Sequence, residues 1–173
     1  MSAAADVVHA AAVAVAVDAD GPLAGVLILG PSGSGKSSLA LSLIEACPFH
    51  RTALVADDAV RLERVPAGLA ARAPDRIAGL IEVRGFGPAS ARSISAALLR
   101  LAVDLGGDPA RMPEPKPFRP AGDGPPLPLY PFLWRGAEAT AAHRVRRMVA
   151  AILDGQTPQR TQDGAPALWI EGE

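Results

Sequence analysis

Gly30-Pro31-Ser32-Gly33-Ser34-Gly35-Lys36-Ser37 fills every fixed position of the pattern Gly-x-x-x-x-Gly-Lys-Ser/Thr. The glycines of such a loop let successive backbone N–H groups converge on phosphate oxygens, and the helix that follows offers its positive N-terminal end. Lys36 then reaches the terminal phosphates, and the Ser37 hydroxyl suits a magnesium ligand. The predicted nucleotide-contacting set is Gly30, Pro31, Ser32, Gly33, Ser34, Gly35, Lys36, Ser37 and Ser38. The chain uses 15 Arg and two Lys, so a lysine here suits a position that needs a compact ammonium rather than any cation.

Asp57-Asp58 closes an apolar run, where phosphate-loop proteins put an acid for magnesium or for the attacking nucleophile. Adjacent strand residues point to opposite faces, so the two acids take different parts unless the strand has already ended. The residues alone leave open which is the base, and also a turn cap beside two solvated carboxylates. Glu82, between Ile81 and Val83, is costly to bury unless a cation or donor meets it; the alternative is a partly exposed edge position or a pair with Arg84. His9 shares the parity of Val13, Val15 and Val17, which alone favours a core or edge histidine over a catalytic one. Arg111 carries the charge to assist a transferring phosphoryl group, yet alone it reads as a surface arginine. His50 and His143 lack partner spacing and read as surface residues, Cys47 as helix-end packing, and Trp134 and Trp169 as anchors of mobile segments.

These groups need a strand, a loop and a helix in fixed order, and the apolar pattern supplies them. Val13 to Val17 places Val on one face and Ala on the other, predicting a strand with a close neighbour. Asp18 to Pro22 reads as a turn, Gly25 to Leu29 as a strand, and Ser37 to Ala46 as a helix with Leu39, Leu43 and Ile44 at helical spacing. Thr52 to Ala56 and Leu80 to Val83 read as buried strands with acids at or near their ends. Ile94 to Leu105 reads as helix running into strand, the strand over Leu98 to Leu105. Gly106 to Pro131 holds nine of the 17 prolines, too many for regular structure. Ala137 to Leu153 gathers Val145, Met148, Val149, Ile152 and Leu153 on one face of a closing amphipathic helix. From Gly155 the composition predicts a fraying tail in which Leu168-Trp169-Ile170 is the segment able to dock.

Composition narrows the function classes. The chain has 173 residues, is 49% hydrophobic and 20% charged, and carries a formal net charge of -1, which fits one globular domain and neither disorder nor a collagen-like chain. No Lys or Arg precedes Lys36, so the broad basic footprint of a nucleic-acid binder is missing. A single cysteine cannot close an intramolecular disulfide or build a Cys-rich metal site. The apolar run Val7 to Val17 lacks a basic flank, is bracketed by Asp6, Asp18 and Asp20, and is too short to span a bilayer. A cytoplasmic protein without membrane placement is the expectation.

Taken together, His9, the run Gly25 to Ser37, Leu54-Val55-Ala56-Asp57-Asp58 and Leu80-Ile81-Glu82-Val83-Arg84-Gly85-Phe86-Gly87 resemble the HPr kinase/phosphorylase family over residues 7–115. The Glu-x-Arg-Gly-x-Gly segment is distinctive of that family, whereas the phosphate loop is shared by many nucleotide hydrolases. The resemblance implies the short form, the catalytic domain alone, using ATP and magnesium to phosphorylate a serine of the phosphocarrier HPr and phosphate to remove it. It implies Asp58 as base and, in reverse, acid, with Asp57 beside it; Lys36 neutralising phosphate charge; Ser37 and Glu82 holding magnesium; His9 near the catalytic acid; and Arg111 as the catalytic arginine. It also implies a hexamer. The fold expected is an α/β P-loop kinase domain with a mostly buried mixed sheet over residues 1–154, followed by the tail at 155–173. Ser38 stands where the family carries an acid, Gly87-Pro88-Ala89-Ser90 replaces an apolar continuation, and the family's Pro-Val-x-Pro-Gly-Arg-Asn segment is absent. Two other readings stay open: a P-loop kinase for a small metabolite, and a nucleotide-binding sensor that transfers nothing.

Overall fold

A computed structural model of the chain describes residues 6–107, 113–120 and 125–156. In chain order come β1 (Asp6–His9), β2 (Ala11–Val15), β3 (Ala24–Leu29), α1 (Lys36–Glu45), β4 (Ala53–Ala56), β5 (Ala59–Val65) and β6 (Gly68–Arg72). A 3-10 turn at Asp75–Ile77 leads to β7 (Leu80–Val83), β8 (Gly87–Ser90), β9 (Ala96–Asp104), β10 (Lys116–Phe118), β11 (Leu127–Pro131) and α2 (Glu138–Leu153).

The large sheet is mixed and runs β1-β5-β6-β9-β3-β2-β4, with β7 and β8 forming a separate hairpin. β9 organises it. One edge of β9 pairs parallel with β3; on the other, Ala96 to Leu98 pair antiparallel with β6, and Ala102 to Asp104 pair parallel with β11. Gly25 lies where β3 meets β9, and a Cβ there would come within 2.7 Å of the Leu98 carbonyl oxygen. Apolar residues fill both faces of β2: Ala11, Val13 and Val15 join α1 and α2 in one core, while Ala12 and Ala14 join Leu27, Val60, Leu62 and Leu99 in the other. This alternation of Val and Ala lets the sheet bury both sides.

The first apolar run makes two strands rather than one. The chain steps between sheet neighbours at Ala10, whose N–H donates to the Asp58 carbonyl. His9 is therefore not on the strand of Val13 and Val15; it pairs with Ala59 across β1 and β5, and the parity argument lapses at the step. The β5–β6 hairpin was not visible as a pair of strands, although Val60 and Leu62 alternate inward, because Arg61, Glu63 and Arg64 break up the apolar run. Ile94 starts no helix: its N–H and the Leu54 N–H bond across to each other's segment, and β9 begins at Ala96. The proline-rich stretch is not wholly irregular, since it holds β10 and β11. Pro128 precedes the ladder to β9, which starts at Leu129, and Pro131 ends it, positions where a missing N–H costs little. α2 falls where the pattern predicts it, with Val145 and Val149 buried and Met148, Ile152 and Leu153 packed against the same core.

Candidate phosphate-binding and acid site

The phosphate loop joins the C-terminal end of β3, where burial gives way at Leu29, to α1. Gly30, Gly33 and Gly35 take φ of 148, 75 and 104°, values that favour glycine, so each fixed or intervening glycine performs a backbone task. Nothing lies within 4 Å of a Cβ built on Gly33, so the loop is open to solvent there. The loop closes with the Ser34 N–H donating to Pro31 O, and the helix begins with Leu39 N–H donating to Gly35 O. Ser34 is buried, and its Oγ has no partner among the described residues. Lys36 is also buried; Nζ donates to Gly30 O at 2.9 Å and Pro31 O at 3.0 Å, leaving one of its three protons for a ligand.

The two acids separate cleanly. Asp57 is buried; Oδ1 accepts from Ser37 Oγ at 2.9 Å and Oδ2 from the Glu82 N–H at 2.9 Å. Asp58 takes φ of 68°, and its side chain is 76% exposed. An aspartate tolerates this left-handed conformation better than most residues, and here it turns one carboxylate inward and the next outward. The Asp57 carbonyl accepts from the Ala59 N–H, tightening the turn. His9 Nδ1 lies 3.2 Å from Asp58 Oδ1 and 3.0 Å from Asp58 O. With the His9 side chain 52% exposed, this contact orients more than it stabilises.

Glu82 corrects the expectation of a buried strand carboxylate. β7 pairs only with β8; Ile81 is buried and Val83 packs partly against the core, while the Glu82 side chain between them is exposed and incurs no burial cost. Its backbone is what the fold anchors, through Asp57. The Ser37 hydroxyl and the Asp57 carboxylate thus meet as oxygen donors, the type that a hard divalent cation takes, while Glu82 joins them only through its backbone N–H. No group of three His, Cys, Asp or Glu side chains able to hold a metal occurs among the described residues, so phosphate and water oxygens would complete a magnesium shell. The orphaned Ser34 hydroxyl, the open Gly33 cradle and this donor set fit a magnesium-bound polyphosphate. Ser38 is exposed on the first turn of α1.

Residues brought together are therefore His9 with Asp58, and Ser37 with Asp57 and the Glu82 backbone. Arg111, like the Leu168-Trp169-Ile170 segment, lies outside the described residues. His50 and His143 are exposed, as expected. Trp134 is more than an anchor: its indole lies against Gly35 of the loop. No sequence signal marked it, because it follows the proline-rich stretch. Cys47 is buried after α1. Burial raises its thiol pKa, but hydrogen bonds from the Thr52 side chain and from the backbone of Thr52, Arg51 and Phe49 outweigh that and lower it from 9.0 to about 7.

Comparison with known proteins follows the same residues. The family model described as the HPr Serine kinase C-terminal domain matches residues 3–95. This chain belongs to that family. Its HPr kinase/phosphorylase relatives include one from Brevibacillus brevis, 50% identical over 64 residues, covering 36% of this chain and 19% of the relative. Another, from Bordetella pertussis, is 48% identical over 71 residues, covering 40% and 22%. The chain thus matches about a fifth of the length of these curated relatives. The solved Hpr(Ser) kinase/phosphatase from Coxiella burnetii shares the fold, with a TM-score of 0.66 and 22% identity over 86% of this chain and 99% of that one. The HPr kinase fold supplies the mixed α/β architecture expected. No helix among the described residues is long and apolar enough to cross a membrane.

Proposed function

We propose that this chain is an ATP- and magnesium-dependent kinase that phosphorylates a serine of the phosphocarrier HPr, and that the same site runs the phosphate-dependent reversal. The observation that carries this reading is the division of labour at Asp57-Asp58: one buried carboxylate tied to Ser37, one exposed carboxylate beside His9 at the mouth. Phosphoryl transfer needs little covalent help, so positioning and charge stabilisation supply most of the rate. The loop N–H groups and Lys36 hold the phosphates, and Ser37, Glu82 and Asp57 serve the magnesium position. A magnesium ion held there would supply positive charge to offset that of the phosphates.

Asp58 accepts the proton of the acceptor serine as its oxygen attacks the terminal phosphorus of ATP, and ADP departs. In reversal a phosphate oxygen attacks the phosphoserine phosphorus, Asp58 returns the proton to the serine oxygen, and pyrophosphate leaves. An exposed base suits a protein acceptor, whose serine must reach it from outside. His9 holds the Asp58 carboxylate, and Arg111 is proposed to add charge at the transferring group. Assembly as a hexamer in the cytoplasm goes with this reading.

A metabolite kinase would need an acceptor pocket at the base. An open cleft of about 400 Å³ does carry Arg61, Arg72, Asp75 and Ser93, but neither Asp57, Asp58 nor any loop residue lines it. That cleft is therefore no acceptor pocket for Asp58. The test is incubation with the HPr of the same genome, magnesium and labelled ATP, with the label located by mass spectrometry. Label on one HPr serine, absent with Asp58→Asn, is the expected result; ATP binding without transfer to HPr would overturn it in favour of another acceptor or a sensor.

A further inference from the structure

We infer that the segment after β11 is the nucleoside subsite of this chain, with the Trp134 indole as the platform on which the base of the nucleotide stacks. The inference rests on the reading of the loop as a nucleotide site and adds where the base goes.

The sheet order decides the side. β3, β9 and β11 are mutually parallel, so they end on one edge of the sheet, at Leu29, Asp104 and Pro131. In the order β9-β3-β2-β4, the acids follow β4 on one side of the loop strand, while β9 and β11 lie on the other. A triphosphate whose terminal phosphate faces Asp58 therefore runs from the acids toward the ends of β9 and β11. Ligands of parallel α/β sheets sit at these carboxyl ends.

Trp134 is the aromatic residue at that place. A Cβ built on Gly35 would collide with the indole, meeting Cε2 at 2.8 Å and Cδ1 at 2.9 Å, so the ring edge lies directly on the loop. The indole is only partly buried and packs against the core that holds α1 and α2. Its neighbour Leu133 is 41% exposed, which makes the lip apolar.

The backbone under this lip is fixed. The Phe132 N–H donates to Asp104 O at 2.8 Å, and the Ala137 N–H to Trp134 O at 3.0 Å. Arg144 donates to Leu133 O at 2.6 Å and lies 4.5 Å over the Phe132 ring. A partly exposed indole carried on a fixed backbone beside a phosphate cradle is a stacking surface that needs little reorganisation to bind. Stacking reads the π-face of a base rather than its hydrogen-bonding edge, so ATP and GTP both use it.

Titration calorimetry with magnesium-ATP and with magnesium-tripolyphosphate tests the subsite. Trp134→Ala should weaken ATP by roughly 5- to 150-fold, the worth of one base stacked on an aromatic ring, and leave tripolyphosphate within about twofold. Trp134→Phe should restore most of the ATP affinity. In Trp169→Phe, which leaves Trp134 as the one tryptophan of the two, ATP should quench the indole fluorescence and tripolyphosphate should not. Equal affinities of wild type and Trp134→Ala for ATP would overturn the subsite with the nucleotide reading intact, as would an equal loss of both ligands, which marks mere loop support. Wild-type protein that binds neither ligand would overturn the nucleotide reading itself.

Discussion

Asp57 and Asp58 differ by one position and by nearly everything else. Asp58→Asn removes the proton acceptor and touches no buried bond, so transfer should fall by about 10² to 10⁴ while magnesium-ATP affinity in calorimetry stays put. Asp57→Asn places an amide nitrogen toward Ser37 Oγ or the Glu82 N–H, both donors. It should cost about 1–3 kcal/mol in urea denaturation as well as magnesium dependence. The sequence made both acids candidates, but it could not divide their labour. The strand ends at Ala56, and beyond it the period-two rule has no force. His9 shows the same limit in reverse, since a single step at Ala10 cancelled its apparent parity. Cys47 provides a pH test of local bonding. Its pKa is lowered from 9.0 to about 7 on folding, so the stabilisation is complete above 9.0 and is lost as pH falls through 7. Wild-type stability relative to Cys47→Ala should therefore rise from pH 7 to pH 9 in denaturant titrations.

The elements that carry the site were the most legible part of the chain. β3, the phosphate loop, α1 and α2 each declare themselves by local pattern: an apolar run, spaced glycines, helical spacing of Leu39 and Leu43, and the Val145–Val149 face. β11 did not, because Pro128 and Pro131 hide the three-residue ladder that it makes with β9. β5 was lost for a related reason: Arg61, Glu63 and Arg64 mask the inward alternation of Val60 and Leu62. Close approach between elements gives its own prediction. Gly25→Ala would press a methyl group against the Leu98 carbonyl, backbone against backbone, at a place where the β3–β9 register already shifts. A loss of about 1–3 kcal/mol, read as a lower thermal midpoint, is expected.

For the whole molecule, the hexamer proposed above predicts a light-scattering mass six times the 17.7 kDa of one chain. The most exposed of the large apolar side chains among the described residues, Phe86 at 79% on the β7–β8 turn and Val7 at 60% on β1, are what a monomer would show to solvent. The arrangement around β9 also bears on how the protein is made. β3 leaves the ribosome with β2 available, yet the partner for its other edge ends at Asp104, 75 residues after Leu29. At synthesis rates of about 5–20 residues per second, that edge waits roughly 4–15 s without its partner. Over this interval the most apolar strand of the nascent chain is an open template for pairing with another copy. Yield in a cell should therefore depend on translation speed between codons 30 and 104 more than on speed elsewhere.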